Sequence, residues 1–125
     1  MDKKRVITHL IEYLTEELNS EESPEKKKEI EALLVMYRFL PSRAYGAEDV
    51  IIPSTLVTLR TGIMTAFYFI VPRGGGLITQ IDGRPLQVIT PHSPLGESLM
   101  GKKSGESFKI DVRGTTREYE IVAVN

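Results

Sequence analysis

The chain has 125 residues, of which 41% are hydrophobic, and a formal net charge of -1. This length supports one modest hydrophobic core, so we expect one compact domain with an appendage and not two independent domains. The near-neutral charge argues against strong direct binding to nucleic acid, because such binding needs several clustered cations. The sequence has no cysteine, which excludes disulfides, thiolate nucleophiles and zinc sites with sulfur ligands.

The first residues, MDKKRVITHLIEYLT, combine a basic start with an apolar run that His9, Glu12 and Thr15 interrupt. Signal peptides and membrane spans need an uninterrupted apolar stretch, so this segment predicts neither of them. We therefore expect a cytoplasmic protein that is not attached to a membrane.

Two segments before Pro41 have apolar residues at the three- and four-residue spacing of a helix. Between them, Ser23 is a good N-cap and Pro24 a good first helical residue. We predict an antiparallel helical hairpin, a short coiled coil, over residues 1–41, because each helix can hide its single apolar stripe against the other. Each arm would be roughly 24 Å long. The two predicted stripes are Ile7, Leu10, Ile11, Leu14 and Leu18, and Ile30, Leu33, Leu34, Tyr37 and Leu40.

Short β-branched and aromatic runs follow the hairpin, which predicts a sheet domain over residues 50–125. Residues 74–76 and 82–85 indicate turns. One short helix is predicted to begin after Ser93 and to end at Gly101. The fold class is therefore α+β, a helical hairpin followed by a small antiparallel sheet with one short helix. The predicted strands are residues 55–60, 65–71, 86–90, 108–112 and 117–124.

Three acids, Glu21, Glu22 and Glu25, lie at the predicted turn of the hairpin. Glu22 and Glu25 are three residues apart, and paired carboxylates can hold a hard divalent cation such as magnesium. Glutamate is nevertheless among the most exposed residue types, which favours a plain solvated turn. His9 and His92 are too far apart in the sequence to indicate a metal centre. We therefore predict no catalytic residue, no metal site and no cofactor.

Residues 93–106 read SPLGESLMGKKSGE, a helix opened by Ser-Pro and closed by a Gly-Lys turn, with a further Gly before the last two predicted strands. In this order, the features resemble the C-terminal domain of the bacterial Gre transcript-cleavage factors and of the related regulators of nucleoside diphosphate kinase. The resemblance covers residues 50–125 and implies an FKBP-like domain that binds bacterial RNA polymerase. The Ser-Pro motif further implies that Ser93, Pro94 and Leu95 contact the rim of the secondary channel of the polymerase.

The predicted function is regulation of transcription elongation by binding RNA polymerase without transcript cleavage, since the short hairpin is similar to that of the nucleoside diphosphate kinase regulators. A Gre-type cleavage factor is one alternative, and it would use Glu21, Glu22 and Glu25 at the hairpin tip. An FKBP-like prolyl isomerase is another, but its deep aromatic pocket commonly has a tryptophan floor, and the chain has no Trp. Another kind of protein-binding module also stays open, as does a homo-oligomer formed through exposed apolar residues such as Tyr13 or Phe39.

Overall fold

The computed structural model describes residues 2–125, except for the side chain of Val112. The chain divides into two compact units, one that ends at Arg43 and one from Ala44 to Asn125. The first unit contains helices α1 (Lys3–Ser20) and α2 (Pro24–Phe39). The second contains β1 (Leu56–Thr61), β2 (Met64–Ile70), β3 (Ile78–Ile81), β4 (Arg84–Ile89), α3 (Pro94–Leu99), β5 (Ser107–Val112) and β6 (Thr115–Val124).

Each helix of the first unit begins after a polar capping residue. The side chain of Asp2 accepts a hydrogen bond from the backbone N–H of Lys4 at 3.0 Å. The hydroxyl of Ser23 accepts one from the backbone N–H of Lys26 at 3.4 Å, and Pro24 is the first residue of α2. The two helices contact each other across a short turn. The predicted pair of N-terminal helices, with its cap at Ser23, is therefore confirmed.

The first unit buries the side chain of one lysine, Lys3, beside its apolar residues. Lys3 is buried, and its ammonium donates a hydrogen bond to the backbone oxygen of Arg43 at 2.6 Å. Desolvation and the charge of Arg43 lower the pKa of Lys3 to about 8, while burial raises the pKa of Tyr37 to about 12.

The apolar residues of the two helices differ in exposure. Tyr13 and Phe39 are 39% and 83% exposed. The buried apolar residues of the two helices are Val6, Ile7, Leu10, Leu14, Ile30, Leu34 and Tyr37.

The second unit is a six-stranded sheet in the order β3-β4-β2-β1-β6-β5, and the α+β class is confirmed. The sheet is mixed, however, and the prediction of a purely antiparallel sheet is wrong. Strands β2 and β4 pair in parallel, with Phe67 opposite Leu86 and Ile70 opposite Ile89. The physical reason is strand β3, which the sequence did not predict. It forms a hairpin with β4 and so adds one more reversal of the chain between β2 and β4.

The turn between β3 and β4 is tighter than the predicted turn at residues 82–85. Only Asp82 and Gly83 form it, with φ angles of 52° and 74°, as expected for a two-residue hairpin turn of type I′. Pro85 is already part of β4, where it lies opposite Gln80 of β3. Pairing with β2 begins only at Leu86, so the missing N–H of the proline is not needed on that side.

The sheet buries side chains on both faces. We call the face on which α3 packs the helix face. Its core includes Leu99 of α3, which is fully buried, and the partly buried Leu95 and Met100 pack against this core. The other buried residues of the helix face and its border are Ile51, Val57, Leu59, Ile70, Ile89, Tyr119, Ile121 and Val124. On the opposite face the strands bury Leu56, Phe67, Phe69, Leu86 and Val88. Among residues 2–125, no helix is long and apolar enough to cross a membrane.

Candidate partner-binding surface

The turn between β4 and α3 is held by one backbone carbonyl, that of Thr90. The hydroxyl of Ser93 donates a hydrogen bond to this oxygen at 2.7 Å, and the backbone N–H of Ser93 donates to it at 3.1 Å. The same hydroxyl accepts a hydrogen bond from the backbone N–H of Gly96 at 3.1 Å. Pro94 follows as the first helical residue, where an N–H would have no partner within the helix. The prediction that Ser93 caps a helix beginning at Pro94 is confirmed.

Gly96 is a further requirement of this turn that was not predicted from the sequence. A β-carbon at this position would lie 1.9 Å from the carbonyl oxygen of Thr90 and 2.8 Å from the hydroxyl oxygen of Ser93. Backbone atoms cannot yield as the end of a flexible side chain can, so only glycine fits here. The signal in the sequence is a glycine in the first turn of a helix, a position where glycine has a poor propensity and therefore indicates a close contact.

The end of α3 is tied to the segment before β1. Gly101 has a φ of 81°, the left-handed conformation in which glycine commonly ends a helix. Its N–H donates a hydrogen bond to the backbone oxygen of Ile51 at 3.0 Å, and the N–H of Ile51 donates to the oxygen of Lys102 at 2.8 Å. Both ends of this short helix are therefore fixed by backbone contacts, and the predicted end at Gly101 is confirmed.

An apolar cleft of about 230 Å³ lies beside α3. Ser93, Pro94 and Leu95, the three residues that the sequence predicted for partner contact, all line it. Pro94 is exposed, and the other two are half-buried. The remaining lining residues come from three strands and were not predicted as parts of a site: Gln87, Ile89, Ile110 and Tyr119.

Aromatic side chains stabilise one wall of the cleft. The rings of Phe108 and Tyr119 are stacked, with centroids 5.4 Å apart, and the two residues lie directly opposite each other in β5 and β6. Tyr68 lies beside Gln87 in the register of β2 and β4. Burial raises the pKa of Tyr68, the nearby Tyr119 raises it further, and Arg117 opposes the rise. Tyr68 therefore keeps its proton at neutral pH.

The structure does not bring the acids of the hairpin turn together as a cation site. One carboxylate oxygen of Glu21 accepts hydrogen bonds from the backbone N–H groups of Glu22 and Ser23, at 3.1 and 3.0 Å. This carboxylate thus holds the turn after α1. Glu22 and Glu25 are exposed. Within the described part of the chain, no group of three or more His, Asp or Glu side chains could hold a metal ion.

Comparison with known proteins shows that part of the second unit is similar to a known family. Residues 81–125 match the family described as "Transcription elongation factor, GreA/GreB, C-term". Transcription elongation factor GreA of Clostridium perfringens is 44% identical over 36 residues, which are 29% of this chain and 23% of that protein. The match thus spans about a quarter of the length of these curated relatives. The predicted resemblance to the Gre family of transcription elongation factors is thereby confirmed.

Solved structures agree on the fold. The structure of Gfh1 from Thermus aquaticus covers 98% of this chain and 94% of its own, with 19% identity and a TM-score of 0.50. A second structure of the transcription factor Gfh1 covers 98% of this chain and 85% of its own, with 21% identity and a TM-score of 0.51. At these identities the similarity is one of fold.

Proposed function

We propose that this protein binds bacterial RNA polymerase at the rim of its secondary channel and regulates elongation without cleaving the transcript. The observation that carries the proposal is the Ser93–Pro94 turn. It begins a helix within the residues that match the GreA/GreB C-terminal family, and it lies at the edge of an apolar cleft.

The turn has the properties of a preorganised contact surface. Pro94 is exposed, but its backbone is fixed by the ring, by the hydrogen bonds of Ser93 and by the close approach of Gly96 to Thr90. A surface that is already ordered loses little conformational entropy when a partner binds. The apolar side chains behind the turn give such a partner a place to bury its own apolar groups.

The size of the hairpin supports binding without cleavage. Helices α1 and α2 have 18 and 16 residues, which corresponds to arms of roughly 27 and 24 Å. The resemblance to the Gre family implies that a cleavage factor needs a much longer hairpin, because it must deliver a carboxylate pair to the catalytic magnesium of the polymerase. The short arms favour a protein that occupies the docking site and does not reach the active site.

The state of Glu21, one of the three turn acids, supports the same conclusion. The carboxylate of Glu21 is engaged by the backbone N–H groups of Glu22 and Ser23. A carboxylate that holds its own turn would have to lose these hydrogen bonds before it could serve a metal ion.

The cleft itself favours protein binding over prolyl isomerisation. Its volume of about 230 Å³ is below the range of roughly 300–1,000 Å³ that is usual for small-ligand pockets. The chain has no tryptophan to form the floor of an isomerase pocket. We therefore propose a binding role for the cleft, with no enzymatic activity of its own.

Displacement of labelled GreA from RNA polymerase core enzyme tests this proposal. The wild-type protein should displace GreA in a concentration-dependent way, because both would occupy the same rim. A failure to displace GreA at concentrations that saturate the polymerase, or binding that leaves GreA in place, would show that the proposed site is wrong.

A further inference from the structure

Arg117 lies on the helix face, next to the cleft. In the register of β5 and β6 it is directly opposite Ile110, which lines the cleft. Two residues further along β6 comes Tyr119, which lines it as well. Since residues i and i+2 of a strand point to the same face of a sheet, the guanidinium of Arg117 belongs to the same surface as these two side chains.

The strands separate their charges unevenly between the two faces. Among the strand residues that the structure describes, Arg117 is the only charged residue on the helix face. On the opposite face Arg60 forms an ion pair with Glu120, and Lys109 lies across from Glu118. The charged strand residues that share the opposite face are Arg60, Arg84, Lys109, Asp111, Glu118 and Glu120. The helix face therefore carries a positive charge with no strand carboxylate beside it.

Exposed apolar residues extend the helix face beyond the cleft. Met64 of β2 lies opposite Thr61, and Ile78 of β3 lies opposite Gln87, a residue of the cleft. Met64 is 59% exposed and Ile78 is 65% exposed. Large apolar side chains that stay exposed beside an apolar cleft are typical of a surface that a protein partner covers.

We propose that the cleft receives a large apolar side chain of RNA polymerase that has a carboxylate beside it, and that Arg117 binds this carboxylate. The inference rests on the proposed function and names the chemistry of the partner segment. An acidic and apolar segment complements both properties of this face, its apolar lining and its cations, which are Arg117 of β6 and the ammonium of Lys102, 5.9 Å from the ring centroid of Phe108. The planar guanidinium can bind a carboxylate through two parallel hydrogen bonds, which gives orientation as well as affinity.

The position of Arg117 makes this ion pair stronger than an ordinary surface pair. Arg117 is exposed in the free protein, so it keeps its hydration until a partner arrives. When an apolar side chain fills the cleft, water is excluded from the same area and the effective dielectric constant falls. The ion pair then forms at the border of an apolar contact, where charge pairs contribute to both affinity and choice of partner.

Titration of RNA polymerase core enzyme with N-terminally labelled protein tests the inference. Arg117→Glu should weaken binding about tenfold, Arg117→Lys should keep most of it, and the salt dependence of binding should fall in Arg117→Glu. Lys109→Glu makes the same charge change on the opposite face of the neighbouring strand and should bind like the wild type. Thermal unfolding of each variant shows whether the fold is kept.

The other possible results distinguish a failure of this inference from a failure of the proposed function. If the wild type binds and Arg117→Glu binds equally well, or loses no more than Lys109→Glu, the inference fails and the proposed function stands. If the wild type does not bind the polymerase, both fail. If Arg117→Glu instead dissociates a dimer in sedimentation, or abolishes binding to a single-stranded RNA, the occupant of this face is a second copy or a phosphate, and the inference is wrong.

Discussion

Gly96 lies against the carbonyl oxygen of Thr90 so closely that a β-carbon on Gly96 would be 1.9 Å from that oxygen. The same carbonyl accepts hydrogen bonds from the hydroxyl and the N–H of Ser93. One backbone oxygen at the end of β4 thus fixes the first turn of α3. The position of Pro94 at the rim of the cleft is a consequence of this contact.

Gly96→Ala should destabilise the second unit strongly. The added methyl group meets backbone atoms that can move only if the whole turn moves, so we expect the free energy of unfolding to fall by about 3 kcal/mol. Urea unfolding measures this change in the free energy of unfolding. Gly46→Ala is the matched control, because its β-carbon would meet only the carboxylate of Asp49 at 3.9 Å, and it should change stability by less than about 0.5 kcal/mol. Equal stability of the two variants would contradict the close contact.

Ser93→Ala should cost less than the glycine replacement. It removes the hydroxyl that caps α3 and bridges Thr90 and Gly96, and the loss of a serine cap usually costs about 1 kcal/mol. Ser98→Ala, in the same helix, removes a hydroxyl that bonds only the backbone oxygen of Pro94 at 3.2 Å. Chemical denaturation should show a loss for Ser93→Ala and almost none for Ser98→Ala. A larger effect at Ser98 would contradict the capping role of Ser93.

Stability should depend on pH through Lys3. Its pKa is about 8 in the folded protein, below its ordinary value of 10.5, so between these values the unfolded chain binds more protons than the folded one. Stability should therefore rise as the pH increases from about 8 toward 10.5, and below pH 8 the full cost of burying the charged ammonium remains. Tyr37, with a pKa raised from 10.0 to about 12, acts in the other direction and lowers stability above pH 10.

Lys3→Met tests this dependence. The variant should lose the rise in urea midpoint between pH 7 and pH 9.5 that the wild type shows, because methionine keeps the buried methylene groups but carries no titratable charge. Lys4→Met, which changes an exposed neighbouring lysine, should keep the rise. A rise that persists in Lys3→Met would assign the pH dependence to another group.

The acids of the hairpin turn should be dispensable for binding. We expect the triple variant Glu21→Gln, Glu22→Gln and Glu25→Gln to bind RNA polymerase core enzyme like the wild type, with only a small loss of stability from the turn that Glu21 holds. Binding and helix content are measured by titration and by circular dichroism. If the wild type shortens the nascent RNA in backtracked complexes and the triple variant does not, the protein is a cleavage factor and these acids are its catalytic residues.

The parts of the fold that could be predicted are those whose structure is determined by residues close together in the sequence. Ser23 and Ser93 each precede a proline that begins a helix, and a serine cap followed by proline acts through neighbouring backbone groups alone. Strand β3 could not be predicted, since Ile78 is exposed and the strand has only four residues, too few for a clear alternation. Without β3, the parallel pairing of β2 with β4 could not be predicted either.

Only one wall of the cleft could be predicted from the sequence. The Ser-Pro motif indicated Ser93, Pro94 and Leu95, but the opposite wall of the cleft comes from strands that are distant in sequence. Ile110 and Tyr119 reach the cleft through the pairing of β5 with β6 and the order of the sheet. Such tertiary contacts depend on register, where a shift of one residue would turn these side chains to the other face.

Inhibition of Gre-stimulated transcript cleavage in backtracked complexes tests the central claim most directly. The wild-type protein alone should leave the nascent RNA uncut, and added in excess it should suppress cleavage by GreA. Pro94→Glu should lose this inhibition, because a charge replaces the apolar contact at the rim. Pro24→Glu should keep it, because Pro24 is an exposed first residue of another serine-capped helix, outside the proposed surface. Cleavage by GreA that continues undiminished in the presence of the wild-type protein, or equal inhibition by the two proline variants, would contradict the account.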